Sequence, residues 1–263
     1  MRGFLISSVL LYVGAAIAVP AILAPRERVI RNGVRRTGPP RLIFEADSLQ
    51  VDNTSHSQYT QNWAGAVLIG TGYATISGTI VVPRVTVPAG GTNAKTYSAS
   101  AWVGIDGSTC QSAILQTGID FNVRGGSVSY EAWYEWYPDY SYRFNNFKIS
   151  AGDTITMTVT AASKNSGSVV LENKTTKKSI SHTLTNQMGD LCQTNAEWIV
   201  EDFLQQDNMV PFANFHTVSF TDARVNGAPI VDQADIYDIK QGNKLYTRCA
   251  ASSSSSLTCS YVG

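Results

Sequence analysis

Residues 195–202 read Asn195-Ala196-Glu197-Trp198-Ile199-Val200-Glu201-Asp202, and the way this stretch is taken decides the fold. As a strand it puts Glu197, Ile199 and Glu201 on one face and Ala196, Trp198 and Val200 on the other. As a helix it puts Glu197 and Glu201 one turn apart, and the window alone allows either. In both readings a carboxylate sits beside Trp198 inside an apolar run. A charge there is costly unless it has a partner or a task.

From Asn62 onward, short β-branched and aromatic runs alternate with Gly-rich breaks. They predict strands over 63–69, 74–82, 99–105, 112–119, 127–137, 154–161, 167–172, 179–184, 197–203, 217–221, 234–239 and 244–248. Only 197–206 competes as a helix. This spacing predicts one all-β domain of about 200 residues, an antiparallel β-sandwich. Residues 83–95, with Pro88 and Gly90-Gly91, read as an exposed loop. The serine run 252–256 reads as a hairpin loop or a loose edge.

The 263 residues carry no net formal charge, but the charge is unevenly spread. Residues 1–58 hold seven Arg, no Lys and four acids, so totals of 20 and 20 leave 13 basic and 16 acidic residues in 59–263. A mildly acidic body argues against a nucleic-acid partner. Residues 1–18 read as a signal peptide: Arg2, an apolar core from Phe4, and Ala16-Ile17-Ala18 as a small-residue cleavage site. The run is too short to span a membrane comfortably and breaks at Pro20. Residues 19–58, Arg-rich and carrying Pro39-Pro40, read as a basic pro-segment. On an acidic body it would act as an electrostatic clamp that loosens as carboxylates protonate.

Cysteines 110, 192, 249 and 259 suit the oxidising route of a secreted protein and allow three connectivities. Pairing Cys249 with Cys259 would close a short C-terminal loop and leave Cys110 with Cys192. No Cys-x-x-Cys and only three His (56, 182, 216) argue against a zinc site. His182 and His216 lie in strand-like runs and read as structural. Asn53 and Asn173 head glycosylation sequons.

Alternation in three strands gathers one kind of face. It carries Ser112, Ile114, Gln116, Gly118 and Asp120 in the first, Glu131, Trp133, Glu135 and Tyr137 in the second, and Trp102, Gly104 and Asp106 in the third. Aromatic rings with carboxylates and one amide could line a substrate groove. Gly-x-Ser-x-Gly, His-Glu-x-x-His, Asp-Thr-Gly and Asp-Ser-Gly are all absent from the sequence.

Five ordered runs carry a resemblance: Gln61-Asn62-Trp63-Ala64-Gly65-Ala66-Val67, Ala101-Trp102-Val103-Gly104-Ile105-Asp106-Gly107, Ile114-Leu115-Gln116-Thr117-Gly118, Tyr130-Glu131-Ala132-Trp133-Tyr134-Glu135-Trp136-Tyr137-Pro138, and 195–202. Over nearly all of 60–263 the chain resembles the fungal glutamic peptidases, the eqolisin or G1 family. The resemblance implies two curved antiparallel sheets in a concanavalin A-like jelly roll, and a secreted acid endopeptidase with a glutamine–glutamate dyad. By motif the dyad is Gln116 and Glu197, with Trp102, Asp106, Asp120, Trp133, Glu135 and Tyr137 supporting the cleft. The short loop before Thr96 implies a single chain after maturation.

The residue types suit the chemistry. A Glu titrates near ~4.3 and still serves as a base in mild acid, where a His base would be protonated. A glutamine amide keeps its N–H at any acid pH and can hold an oxyanion, on the order of 3 kcal/mol in comparable sites. The expectation is a monomer acting on proteins or peptides, held in check by its own pro-segment, needing no cofactor or metal and no membrane. The rival is a carbohydrate-active sandwich, either a glycosidase with Glu135 and Glu197 as its carboxylate pair or a non-catalytic glycan-binding module.

Overall fold

The stretch in question is a strand, Asn195–Glu201, and every residue of it is buried. It lies inside a nine-stranded sheet, paired antiparallel to Trp63–Ile69 on one side and Thr96–Ile105 on the other. Beyond Thr96–Ile105 the sheet continues through Ile114–Arg124, Ser127–Tyr137 and Tyr142–Arg143. On the other flank it continues through Asp235–Gln241 and Lys244–Leu245, with Ser57–Thr60 added in parallel beside Asp235–Gln241. The computed structural model describes residues 35–43 and 57–263. The signal peptide, most of the leading segment and the Asn53 sequon lie outside these.

A seven-stranded sheet stacks on the first, in the order Lys178–Leu184, Ser166–Asn173, Thr154–Ser163, Thr75–Val81, Thr217–Val225, Ser256–Tyr261 and Thr247–Ser253. Thr75–Val81, Thr154–Ser163 and Ser166–Asn173 alternate buried and part-exposed residues, as strands with one covered face do. Their inward residues, Ile76, Ile80, Ile155, Met157, Val159, Val169 and Leu171, meet Ala101, Val103, Ile105, Leu115, Ile119, Trp198 and Val200 from the larger sheet. This is the core of the expected sandwich. The indole of Trp198 donates to Ser77 O at 2.8 Å, so the most polar atom of that core face is satisfied.

The opposite face of the larger sheet is also covered. Trp63, Val67, Trp102, Ile114, Trp133, Ile199 and Tyr237 form a second apolar cluster there, with Tyr137 packed against it. Residues 35–43 run across this face. Arg35–Arg36 pairs with Leu204–Gln205, which turns back onto Asn208–Met209 as a small three-stranded sheet.

Both disulfides are present, Cys110–Cys192 and Cys249–Cys259. The serine run is the tip of a hairpin between Thr247–Ser253 and Ser256–Tyr261; the second of these strands was missing from the sequence reading. The Asn173 sequon is corrected by burial. Asn173 is 1% exposed, its Nδ2 donates to Asp153 at 2.8 Å and its Oδ1 accepts from Thr176 N–H at 3.0 Å. In the folded chain the acceptor nitrogen is committed and out of reach of a glycan. His182 stacks on Tyr134 with centroids 4.2 Å apart, and His216 bonds Thr86 Oγ1 at 3.2 Å.

Candidate active site

Antiparallel register puts directly opposed residues on the same face. One such row runs Val67, Glu197, Gly104, Gln116, Glu135 across five strands. Glu197 and Gln116 are thus two strands apart, about 10 Å between backbones, with Gly104 between them. A Cβ at Gly104 would lie 2.8 Å from the Trp102 ring and 3.4 Å from Glu197 Oε2. Without it, the two longer side chains can lean toward each other over the gap.

Gln116 and Glu197 are fully buried, and among the described residues neither side chain has a hydrogen-bond partner. Buried polar atoms in native proteins are nearly always paired, so two such neighbours are suited to an outside partner. Burial, with the carboxylate of Asp106 as the second cause, pushes the Glu197 carboxyl well above the ordinary range.

The adjacent row holds Ile199, Trp102, Gly118 and Trp133. Trp102 donates to Glu201 Oε2 at 2.9 Å and stands edge-on to Trp63, with centroids 4.9 Å apart. Trp133 donates to Ser100 Oγ at 3.2 Å. The next row holds Glu201, Ser100, Asp120 and Glu131. The two indoles form a wall fixed at both polar ends.

Asp106 does a different job from that wall. Its strand ends at Ile105, and Asp106 itself takes φ 67°. Its carboxylate accepts the backbone N–H groups of Gln193, Thr194 and Asn195 at 2.8, 2.8 and 3.1 Å. Asn195 Oδ1 returns the clamp by accepting from Thr109 N–H at 2.8 Å and Cys110 N–H at 3.2 Å. The loop entering the Glu197 strand is therefore pinned to the loop leaving the Gly104 strand, beside the Cys110–Cys192 bridge.

The family model described as Peptidase A4 family matches residues 61–261. The chain belongs to the Peptidase A4 family. It is 44% identical to aspergillopepsin-2 of Aspergillus niger, over 95% of this chain and 97% of that protein. It is 41% identical to scytalidopepsin B of Scytalidium lignicola, over 94% of each. A crystal structure of scytalido-glutamic peptidase with a transition state analog inhibitor superposes with a TM-score of 0.70 at 44% identity, covering 77% of this chain and 98% of that one. The chain is a glutamic peptidase, a hydrolase of family G1, and this assignment sets the carbohydrate reading aside.

In this glutamic peptidase every residue expected at the cleft lies on or beside the same sheet face. Trp102, Trp133 and Tyr137 pack in its apolar cluster, Glu135 lies in the Gln116 row, and Asp120 lies two rows away. The leading segment lies against two of them, Glu135 and Tyr137. Thr37, itself fully buried, donates its N–H to both Glu135 oxygens at 3.3 Å, and Gly38 lies against the Tyr137 ring. Two contributors escaped the sequence reading: Gly104, noted there only as part of a face, and Asn62, quoted only inside a motif.

Proposed function

We propose that this Peptidase A4 member is a secreted endopeptidase that works in acid through Gln116 and Glu197. The observation that carries the reading is the pair of buried side chains, unpartnered among the described residues, on one row with only a glycine between. Glu197 takes a proton from water, the water attacks the scissile carbonyl, and the Gln116 amide N–H holds the tetrahedral oxygen. Glu197 then gives the proton to the leaving amine. No covalent intermediate forms, and each proton removed is returned.

The segment ahead of the domain acts as a pro-segment, preceded by a signal peptide over 1–18 and lost within 19–58. Its contacts with Glu135 and its passage over the Tyr137 ring support an inhibitory role. Pro39-Pro40 also stiffens it across the cleft. Under this cover Glu197 keeps its proton. Once water reaches it, the burial that raises it falls away, and it becomes a base in the range where imidazole would be charged.

The test is hydrolysis of a denatured protein by the secreted form in acid. Glu197→Gln should lower kcat by roughly 10³-fold and Gln116→Ala by roughly 10²–10³-fold, with melting temperatures close to the parent's. A chelator should change nothing. Full activity in either variant would sink the dyad.

A further inference from the structure

Asn62 has a role that neither the family nor the dyad assigns. Its side chain is 2% exposed and sits just before the strand Trp63–Ile69. Oδ1 accepts the N–H of Arg41 at 2.8 Å, and Nδ2 donates to the C=O of Pro39 at 3.4 Å. One side-chain amide thus serves two main-chain atoms two residues apart. That is how the edge of a neighbouring strand treats an extended chain.

Two further contacts of the leading segment are also made through its main chain. Glu135 takes a main-chain N–H, that of Thr37. Arg35–Arg36 adds as a strand to Leu204–Gln205. That edge belongs to a tight hairpin whose turn residues, Gln206 and Asp207, both have positive φ, 51° and 61°. Such turns hold two short strands in register. From hairpin to Asn62, six residues span at most about 20 Å, and the anchoring bonds are made to backbone.

We propose that Asn62, Glu135 and the Leu204–Gln205 edge form a main-chain-reading track, and that extended polypeptide substrates occupy it along the path of residues 35–41 once that segment has left. The inference rests on the peptidase reading and states how that site takes its substrate. The track accepts unfolded stretches of about seven residues and is indifferent to their side chains at these three points. Folded strands, whose N–H and C=O groups are already paired, are refused.

The secreted chain and its Asn62→Ala and Asn62→Asp variants are held in acid until the leading segment is shed, then assayed on two nonapeptides of unrelated sequence. In Asn62→Ala, KM should rise about tenfold on both, with kcat within about twofold. Asn62→Asp keeps the acceptor and should restore KM to within about threefold. A synthetic peptide of residues 35–43 should compete with substrate. N-methylation of its Arg41 amide should weaken it in the parent but not in Asn62→Ala. Unchanged KM in Asn62→Ala, or a loss confined to one nonapeptide, overturns the track. If Asn62→Ala does not fold, the N-methyl peptide decides: equal potency with and without the methyl group overturns it. Binding of the 35–43 peptide is also read by tryptophan fluorescence. A parent that binds it with this Arg41 dependence yet cuts nothing would overturn the peptidase reading and leave the track standing.

Discussion

A single hydrogen atom, standing where residue 104 could carry a side chain, sets the spacing of the site. Gly104→Ala would press a methyl group to 2.8 Å from the Trp102 ring and 3.4 Å from Glu197. The expected cost is about 1–3 kcal/mol of stability from overpacking, but roughly a hundredfold in kcat/KM, because Glu197 is pushed off line. Kinetics and thermal melts of the same sample separate the two. Glu197 and Gln116 were legible in the sequence, from motif and from alternation. The meaning of Gly104 was not, since it depends on which residues of two other strands lie opposite. The direction of the Asp106 side chain was not legible either. Alternation aligned it with Trp102 and Gly104, but the backbone turns at φ 67° and sends the carboxylate to the 193–195 loop. Asn173 matched a surface signal while the fold needed its amide inside.

Among elements, the strand Asn195–Glu201 resolves the ambiguity of its own sequence by having partners on both sides. Pairing settles what a short window cannot, because residues four apart, such as Glu197 and Glu201, share a face in a helix and in a strand alike. The loops at its entry are tied by Cys110–Cys192, 82 residues apart. Closing a loop of that length removes unfolded-state entropy of about 4.5 kcal/mol. The double variant Cys110→Ser/Cys192→Ser should therefore melt roughly 10–15 °C lower. It should also lose activity below its melting point, since the Asp106 clamp loosens with the bridge; calorimetry and assays at a low temperature check both. The missed strand Ser256–Tyr261 had a readable signal in Leu257 and Cys259, two apart and both buried. The serines before them and Thr258 between them hid it, because their hydroxyls resemble loop chemistry.

At the scale of the whole molecule, the buried Asp202 carboxyl contributes stability that is greatest in acid. Burial, opposed by the Gln241 hydrogen bond, lifts the Asp202 carboxyl from 3.8 to about 8. Below pH ~4 it is protonated whether the chain is folded or not. Between that point and about pH 8 the unfolded chain sheds a proton that the fold retains. The contribution of this group to stability is therefore full in acid and falls as pH rises, by up to ~1.4 kcal/mol per unit; the raised carboxyl of Glu197 acts in the same sense. Asp202→Asn should flatten the fall in melting temperature between pH 4 and pH 8, and an unchanged slope would refute the assignment. At this scale the sandwich was legible from strand spacing. The seating of residues 35–43 was not, because it rests on backbone groups that every sequence shares. The Cys249–Cys259 bond, finally, joins directly opposed residues of the terminal hairpin, whose outer strand is the last of its sheet. A cutting tool kept among copies of itself lasts only as long as its loosest end. With that hairpin riveted, its two strands cannot be drawn apart into a ribbon for a sister molecule to thread, and self-digestion must begin elsewhere.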